Sequence, residues 1–366
     1  MMTIPPSDAS TLRALVASVQ GSTGADLLVD IDTAPALTGL FDPVPRRLLA
    51  HALNVVLFAD LLQRVPTAAA YLDDQRAGGR KVFLDHGAVR TVAWNGIGAL
   101  PAGIEQVTRL LEPLGFRRSA TYPLPRIRMT GYSYCHLDLP ESIGQWFVSE
   151  LHPDEMSGPV QRAVERVMST SRDPIGADAR RSLDALAAHG SLPFDDAAAL
   201  LDVLAGCFVR KHELPTIDDY RLMLAESAEL AWIATEGTAF NHATDRVDDV
   251  AAVAAAERSA GRPIKDSVEV SGSGRVLQTA HRATMVTRPM RTAEGTIVEC
   301  EVPGSFFEFI ERRPMPAFIE RRPMPAEAAS AEPGGSANAR LDLGFDASNA
   351  QGIFAMTRGT QEVPPS

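Results

Sequence analysis

Two short stretches of the sequence carry residue types that can hold a metal ion. Residues 84–92 read LDHGAVRTV and residues 240–247 read FNHATDRV, so an aspartate or asparagine, a histidine, a small residue and an arginine recur in one order. Histidine is a frequent metal ligand, although a single histidine in a strand is more often a hydrogen-bonded structural residue. Because this context recurs 156 positions along the chain, we predict that His86 and His242 bind one metal ion.

A glutamate follows each histidine at a similar interval. Glu150, in FVSEL, lies 64 residues after His86, and Glu308, in FFEFI, lies 66 residues after His242. Phenylalanines flank Glu308, and burying a carboxylate among apolar groups is costly unless it is paired or bound to a metal. We therefore predict Glu308 as the third ligand. The sequence leaves open whether Glu150 also touches the metal.

Two histidines and one carboxylate form the facial triad that leaves positions open on non-haem Fe(II) for substrate and O2. Arg90 lies four residues after His86, and the alternation of side chains along a strand places both on one face. Arginine grips a carboxylate through two parallel hydrogen bonds, so a metal at His86 and the Arg90 guanidinium could hold the two ends of a short dicarboxylate. For Arg246, which has the same place in the second motif, we expect a salt bridge with a nearby aspartate.

A glycine-rich turn, SGSGR at 271–275, introduces a further group of polar residues. It does not join a strand to a helix, so it lacks the context of a phosphate-binding loop. The turn and the strand that follows it carry Arg275, Gln278 and Thr279, which are candidates for contacts with a substrate carboxylate.

The elements that must position these residues follow one pattern twice. After a helical stretch (10–75), a strand candidate (81–94), an amphipathic helix (103–116) and three strand-like runs succeed one another. After a second helical stretch (153–230), the same β-α-β-β-β order begins again at residue 231. We therefore predict an α+β fold in which two paired β-α-β-β-β modules form a curled sheet around the metal site, with added N-terminal and inserted helices.

Six regions follow from this pattern. They are an N-terminal helical region (1–79), a first module (80–152), a helical insertion (153–230), a second module (231–313), a duplicated and low-complexity loop (314–340) and a C-terminal docking segment (341–366).

A nine-residue tandem repeat follows the second module. FIERRPMPA occupies residues 309–317 and again residues 318–326. We expect one copy to continue the strand that contains Glu308, and the other to loop out, because lengthening a surface loop costs little entropy.

Composition indicates which partners and compartment to expect. The chain has 366 residues, 45% of them hydrophobic, and a net charge of −11, so nucleic acid and anionic membranes are not expected partners. Three widely spaced cysteines indicate reduced thiols rather than a disulfide framework. No apolar run approaches the length of a membrane span, and the first residues do not read as a secretory signal. We expect a cytoplasmic protein, and the sequence does not indicate its oligomeric state.

Five ordered motifs resemble those of a known family. LDHGAVRTV, GYSYCHLDLPE, TEGTAFNHATDRV, SGSGRVLQTAHRA and VPGSFFEFIERR together resemble the 2-oxoadipate dioxygenase/decarboxylase family over residues 40–313, with a weaker similarity in GFDASNAQGIF. The resemblance implies a vicinal-oxygen-chelate fold with added helices. It also implies an Fe(II)-dependent enzyme of D-lysine catabolism that converts 2-oxoadipate and O2 to D-2-hydroxyglutarate and CO2.

The same resemblance implies roles for individual residues. The metal ligands would be His86, His242 and Glu308, and Arg90 would hold the distal carboxylate of the substrate. Ser348 and Asn349, in the C-terminal motif, would lie near the substrate.

Two other functions remain open at this point. Paired modules of this type also support metal-dependent isomerases and lyases, which need no O2 and commonly use four protein ligands, so Glu150 would join the other three. The nine-residue duplication beside the Glu308 strand motivates the second alternative, a metal-binding relative without catalytic activity. Another 2-oxo acid as the dioxygenase substrate is a variant of the leading hypothesis.

Overall fold

The computed structural model of the chain describes residues 10–315 and 340–346. The part that precedes the first module is mainly helical, as its periodicity predicts. Ser10 starts the first helix, because its side chain accepts a hydrogen bond from the Arg13 backbone N–H. The elements of this part are α1 (Thr11–Asp26), β1 (Val44–Pro45), α2 (Arg46–Arg64) and α3 (Pro66–Ala77).

Helix α2 lies in the core, and every residue from 48 to 59 is buried. In the described part of the chain, no single helix is long and apolar enough to cross a membrane. The pair α2 and α3, bent by 112°, meets that criterion only when the two are taken together, by length and composition alone.

The first module contains one helix and four strands in the predicted order. They are β2 (Leu84–Val92), α4 (Glu105–Leu111), β3 (Phe116–Leu124), β4 (Met129–His136) and β5 (Gln145–Leu151). The strands lie side by side in the order β3-β4-β5-β2, and the first strand, β2, runs parallel to the last, β5.

Helices fill most of the stretch between the two modules. The elements are α5 (Gly158–Met168), α6 (Ala177–His189), β6 (Ser191–Leu192), α7 (Phe194–Gly206), α8 (Ile217–Glu226) and α9 (Ala228–Glu236). Strand β6 pairs with β1 in a small antiparallel sheet, which joins this insertion to the N-terminal part.

The second module repeats the first and adds a hairpin. Its elements are β7 (His242–Arg246), α10 (Val250–Ser259), β8 (Glu269–Val270), β9 (Val276–Ala280), β10 (Met285–Arg291), β11 (Ile297–Pro303) and β12 (Phe306–Arg312). Four of the strands lie in the order β7-β12-β9-β8, with β7 parallel to β12, as β2 is to β5 in the first module.

The sequence pattern does not distinguish the hairpin of β10 and β11 from the strands of the main sheet. The sequence pattern predicts one closing strand over residues 275–290 and another over residues 296–313, whereas the structure divides both and pairs β10 with β11 in a sheet of their own. Gly304 allows the break between β11 and β12, because a Cβ there would lie 3.0 Å from the Thr284 carbonyl oxygen. Alternation of apolar and polar residues is the same in both sheets, so the pattern cannot show which sheet a strand joins.

The two modules form one eight-stranded sheet through their first strands. β2 and β7 pair antiparallel at its centre, with His86 opposite Thr244 and Ala88 opposite His242. The repeated histidine motifs therefore occupy adjacent strands. This pairing brings together two histidines that lie 156 residues apart in the sequence.

Candidate functional site

The predicted metal ligands converge on one face of the central strands. Thr244 of β7 lies opposite His86 on one side and opposite Glu308 of β12 on the other. The Glu308 Oε2 atom lies 3.1 Å from His86 Nε2 and 3.5 Å from His242 Nε2. One ligand atom from each of these three buried residues lies within 4.8 Å of the other two. The structure thus brings together the three residues that the sequence predicts.

The residue before each histidine orients its ring. Asp85 Oδ1 lies 2.9 Å from His86 Nδ1, and Asn241 Oδ1 lies 3.3 Å from His242 Nδ1. Both oxygens are acceptors, so each Nδ1 carries a proton and each Nε2 faces Glu308. Metal-bound histidines generally have such a partner on the other ring nitrogen. A bulge in β2 at Asp85 allows its side chain to reach the ring of the residue that follows it.

Thr244 links two members of the triad. Its hydroxyl donates to Glu308 Oε2 at 2.8 Å and lies 3.1 Å from His86 Nε2. The hydroxyl therefore holds the carboxylate in place between the two rings.

The electrostatics of the triad suit a cation. Burial lowers the pKa of His242 to about 3, which keeps the ring neutral. Burial also opposes the charged forms of His86 and Glu308, but their mutual contact outweighs it. Together with Asp85, this contact raises the pKa of His86, and the two histidines lower the pKa of Glu308.

The donor set fits a divalent transition metal. His242 Nε2 and Glu308 Oε1 are buried, and neither has a hydrogen-bond partner among the described residues. Such buried polar atoms are costly unless something binds them. Two imidazole nitrogens and one carboxylate are ligands for Fe, Zn or Mn ions, and a metal would replace the proton held between His86 and Glu308.

Asp85 is at the centre of a buried ion cluster. Arg312 donates to both of its oxygens, and Arg246 Nε donates to Oδ2 at 2.7 Å. Burial alone would raise the pKa of Asp85, but Arg312, His86 and Arg246 hold it well below its ordinary value. The salt bridge predicted for Arg246 is therefore present, and its partner is the residue that orients His86.

A cavity with an empty volume of about 440 Å³ opens beside the triad. Both histidines and Arg90 contribute to its wall, so two of the predicted metal ligands and the predicted carboxylate clamp face one space. The residues around it are His86, Ala88, Val89, Arg90, Phe147, Ser149, Asn241, His242, Gln278, Phe345 and Asp346.

Arg90 is buried in this wall against an aromatic ring. It is 1% exposed, and its guanidinium lies 5.0 Å from the centre of the Trp232 ring. Burial lowers the pKa of Arg90 to about 10, with Glu229 acting in the opposite direction. The side chain therefore remains charged at neutral pH, in a place where few water molecules compete for it.

A short segment, residues 340–346, covers the cavity. Its Phe345 ring meets the His86 ring edge-on at 4.9 Å and lies 5.1 Å from Phe147. Arg312, besides pairing with Asp85, donates to the carbonyl oxygens of Asp342 at 2.9 Å and Gly344 at 2.8 Å. One arginine thus joins this segment to the carboxylate that orients His86.

Of the three predicted substrate-binding residues on β9 and the turn before it, one lines the cavity and two do not. Gln278 lines the cavity. Arg275 does not, because its Nε donates to Asp342 Oδ2 at 2.9 Å and so helps to hold the 340–346 segment. Thr279 alternates with Gln278 onto the opposite face of β9, where its hydroxyl donates to the Ser267 carbonyl oxygen. Ser348 and Asn349 lie outside the described residues.

Glu150 and Glu308 do not occupy equivalent positions in the two modules, although their intervals from the histidines are similar. β5 and β12 are equivalent strands, and their register places Gln145 beside His86 as Phe306 lies beside His242. The counterpart of Glu308 is consequently Phe147, two residues after Gln145 as Glu308 is two residues after Phe306.

The counterpart of Glu150 is Glu311. Glu150 accepts a hydrogen bond from the Ile104 backbone N–H at the start of α4, and Glu311 accepts one from the Val250 N–H at the start of α10. Both glutamates satisfy the first turn of a helix, which has free N–H groups. Glu150 also accepts a hydrogen bond from the Tyr132 hydroxyl, so both of its carboxylate oxygens have partners other than the triad.

Several site residues were missed by reasoning from the sequence. Asp85 and Asn241 stand inside the repeated motif, and their position before each histidine was a usable signal. Arg312 and Phe345 come from distant parts of the chain, and nothing in their local sequence marks them.

Comparison with known proteins agrees with this geometry. The family model described as 2-oxoadipate dioxygenase/decarboxylase matches residues 51–320. A solved structure of a putative glyoxalase superfamily protein from Ralstonia eutropha JMP134 is 46% identical, with a TM-score of 0.82, and the match covers 94% of this chain and 99% of that one. No curated protein matches the chain.

Two more distant structures share the fold. Hydroxyglutarate synthase from Oryza sativa, in complex with 2-oxoadipate, is 21% identical with a TM-score of 0.61, and the match covers 89% of this chain and 97% of that one. Hydroxyglutarate synthase from Pseudomonas putida, also in complex with 2-oxoadipate, is 18% identical with a TM-score of 0.58. The match covers 75% of this chain and 66% of that one. The curled sheet with added helices is therefore of the glyoxalase, or vicinal-oxygen-chelate, type.

Proposed function

This chain belongs to the 2-oxoadipate dioxygenase/decarboxylase family, and from that premise we propose that it is an Fe(II)-dependent enzyme acting on 2-oxoadipate. The proposed reaction is 2-oxoadipate + O2 → D-2-hydroxyglutarate + CO2, in which the atoms balance. One observation carries the proposal: the two histidines of a buried His-His-Glu triad line the same cavity as a buried arginine. Hydroxyglutarate synthases of the same fold bind 2-oxoadipate, which supports the choice of substrate.

The metal would be held by His86, His242 and Glu308. When bound there, Fe(II) would supply the reactivity toward O2 that amino-acid side chains lack. The protein contributes by orienting the three ligands, and Asp85 and Asn241 do this for the two rings.

The cavity wall would select a dicarboxylate. Arg90 lies four residues after His86 on β2. Its planar guanidinium would therefore bind the distal carboxylate of the substrate while the 2-oxo end lies near the triad. Ser149, opposite Arg90 on β5, and Gln278 add polar groups to the same wall. A substrate held at both ends has little freedom to rotate, which favours reaction at one carbon.

The cover over the cavity would limit access of water. Phe345 and Phe147 present apolar rings beside His86. A dry site strengthens every charge interaction inside it and protects reactive species from side reactions.

The isomerase and lyase alternative is not favoured. It calls for a fourth protein ligand, and Glu150 instead binds the start of α4. The non-catalytic alternative rested on the duplicated segment, of which the second copy lies outside the described residues.

The proposed function also implies a cellular location and a set of partners. Cys135, Cys207 and Cys300 are free thiols, as expected for the cytoplasmic location that we propose. Small molecules, a 2-oxo dicarboxylate and O2, would be the partners, within D-lysine catabolism.

Anaerobic loading with Fe(II), followed by addition of O2 and 2-oxoadipate, tests the proposal. The expected result is one 2-hydroxyglutarate and one CO2 per 2-oxoadipate consumed, with no turnover when O2 is withheld. Iron bound with no product would exclude this substrate, and turnover without O2 would exclude the dioxygenase.

A further inference from the structure

A second cavity shares Arg90 with the first but none of the three triad residues. It has an empty volume of about 330 Å³ and lies between the end of β2, helix α4 and the helical insertion. The mechanism proposed above makes no use of it.

Lysine and arginine provide its charge. Lys211, in the segment after α7, is half-buried, and its ammonium donates to the Cys207 carbonyl oxygen at 2.5 Å and to the Thr238 hydroxyl. Both partners are neutral. The carboxylate of Asp173 is already engaged by Arg109 through two hydrogen bonds of 2.8 Å.

Partial removal of Lys211 from water changes the pKa of its ammonium group. Burial lowers the pKa of Lys211 to about 8, and the opposing effect of Asp173, which Arg109 binds, is too small to offset the lost hydration. Arg90, in the same wall, is fully buried, and Glu229 offsets part of its desolvation. A half-buried lysine and a buried arginine therefore face one small space in a protein whose net charge is −11.

Negative groups are missing from this wall. Among the described residues, neither an aspartate nor a glutamate lines the cavity, and its neutral polar members include Gln106 and Thr238. A wall with two cations and no carboxylate concentrates positive potential and attracts an anion.

The rest of the wall is aliphatic. Val92, Ile97, Leu100, Met168 and Ile233 surround the charged end. A hydrated inorganic ion gains nothing from such a surface, whereas a hydrocarbon tail gains free energy for every methylene it buries.

We propose that this second cavity binds a short-chain aliphatic carboxylate. Its carboxylate would contact Lys211 and Arg90, and its tail would lie along the aliphatic wall. Arginine suits the planar carboxylate and lysine supplies a second point charge.

Calorimetry with hexanoate, acetate and inorganic phosphate on the metal-free protein tests the proposal. Hexanoate should bind saturably and at least about tenfold more tightly than acetate, since its tail adds four methylenes. Phosphate that binds more tightly than hexanoate, and displaces it, would show an inorganic oxyanion site instead and overturn the proposal.

Lysine variants identify the site. Lys211→Met should weaken hexanoate binding by about tenfold or more, because a charge-assisted hydrogen bond is lost, and Lys211→Arg should restore most of it. The matched control is Lys81→Met, an exposed lysine outside both cavities, which should bind as the wild type does. Equal binding by Lys211→Met and Lys81→Met would overturn the proposal.

A measurement on the wild type covers the case in which Lys211→Met fails to fold. Brief treatment with an amine-acylating reagent, followed by mass spectrometry, should label both Lys211 and Lys81. Hexanoate should protect Lys211 and leave Lys81 unchanged. Labelling of Lys211 that is insensitive to hexanoate would contradict the assignment.

The shared Arg90 predicts coupling between the cavities, and this step alone rests on the proposed function. A carboxylate that draws on the Arg90 guanidinium should weaken 2-oxoadipate binding several-fold in metal-loaded wild type, and not in Lys211→Met. If hexanoate binds but 2-oxoadipate does not, the proposed function fails and the second site stands. If both bind without affecting each other, the coupling is absent.

Discussion

Asp85 lies between the His86 imidazole and the Arg312 guanidinium, with one oxygen 2.9 Å from His86 Nδ1 and 2.8 Å from Arg312 Nη2. The carboxylate therefore serves the metal site and the fold at once. It fixes the His86 ring and neutralises a fully buried arginine, which in turn holds the 340–346 segment over the cavity.

Asp85→Asn should damage both functions. Metal affinity should fall by about 10–100-fold, because the ligand loses its charged partner. Stability should fall by about 3–5 kcal/mol, since Arg312 would be left buried without a counter-charge. Anaerobic metal titration and urea unfolding measure the two effects. The control is Asp138→Asn, which breaks a half-exposed pair with Arg46 and should cost at most about 1 kcal/mol with metal binding intact. Unchanged metal affinity in Asp85→Asn would refute this role.

Three glutamate variants separate metal binding from helix capping. Glu308→Gln should lower metal affinity by about a hundredfold or more, because the only charged ligand of the triad is removed. Glu150→Gln and Glu311→Gln should retain the metal and lose about 0.5–2 kcal/mol of stability, as expected when a group that caps a helix start is weakened. Metal content after dialysis and thermal unfolding distinguish the outcomes. Loss of metal from Glu150→Gln would restore the four-ligand alternative.

The interval between histidine and glutamate misled the sequence reasoning for a physical reason. Loop lengths between strands vary freely, whereas the strand register decides which side chains share a face. His242 and Glu308 are 66 residues apart, close to the 64 between His86 and Glu150, yet Glu150 lies at the helix end of its strand. The agreement of two intervals was coincidence, and only the pairing of β2 with β5 reveals it.

The repeated motif itself was a sound guide to the fold. It predicted two equivalent strands, and the structure pairs them at the centre of the sheet. The first FIERRPMPA copy continues β12, as expected for one of the two. Arg312 lies in that copy, but its partner Asp85 is 227 residues away, a separation that no local pattern reports.

Acid should destabilise the protein partly through His51. Both ring nitrogens of this buried residue of α2 lack a hydrogen-bond partner in the described structure, and burial lowers its pKa to about 4. The unfolded chain binds a proton near its ordinary pKa, so the neutral ring supports folding above about pH 6.5 and this support is lost as the pH falls toward 4. The loss should reach about 2 kcal/mol at pH 5.

Urea unfolding at pH 7.5 and pH 5 checks this expectation. His51→Leu should reduce the difference in unfolding free energy between the two pH values by about 2 kcal/mol. His189→Leu, which replaces an exposed histidine, should leave the difference as in the wild type. The same pH dependence in His51→Leu and the wild type would show that other groups account for the acid sensitivity.

Arg90→Lys should weaken binding of the diacid specifically. Lysine keeps the charge but lacks the planar fork, and losing a bidentate contact costs about 1.5–3 kcal/mol, or about tenfold to a hundredfold in affinity. Iron binding should be unchanged, because Arg90 is not one of the three predicted ligands and lysine keeps the positive charge that acts on His242. Calorimetry of 2-oxoadipate on the metal-loaded protein without O2 measures the effect.

A 2-oxo monoacid provides the comparison that makes the Arg90 prediction decisive. It lacks the distal carboxylate, so it should bind equally to wild type and Arg90→Lys, whereas 2-oxoadipate should not. If Arg90 served mainly to support Trp232, which its guanidinium faces at 5.0 Å, the variant would lose stability and bind both ligands less well. An equal loss for monoacid and diacid would therefore exclude the clamp. His86→Ala completes the set, because it should abolish iron binding, which Arg90→Lys should preserve.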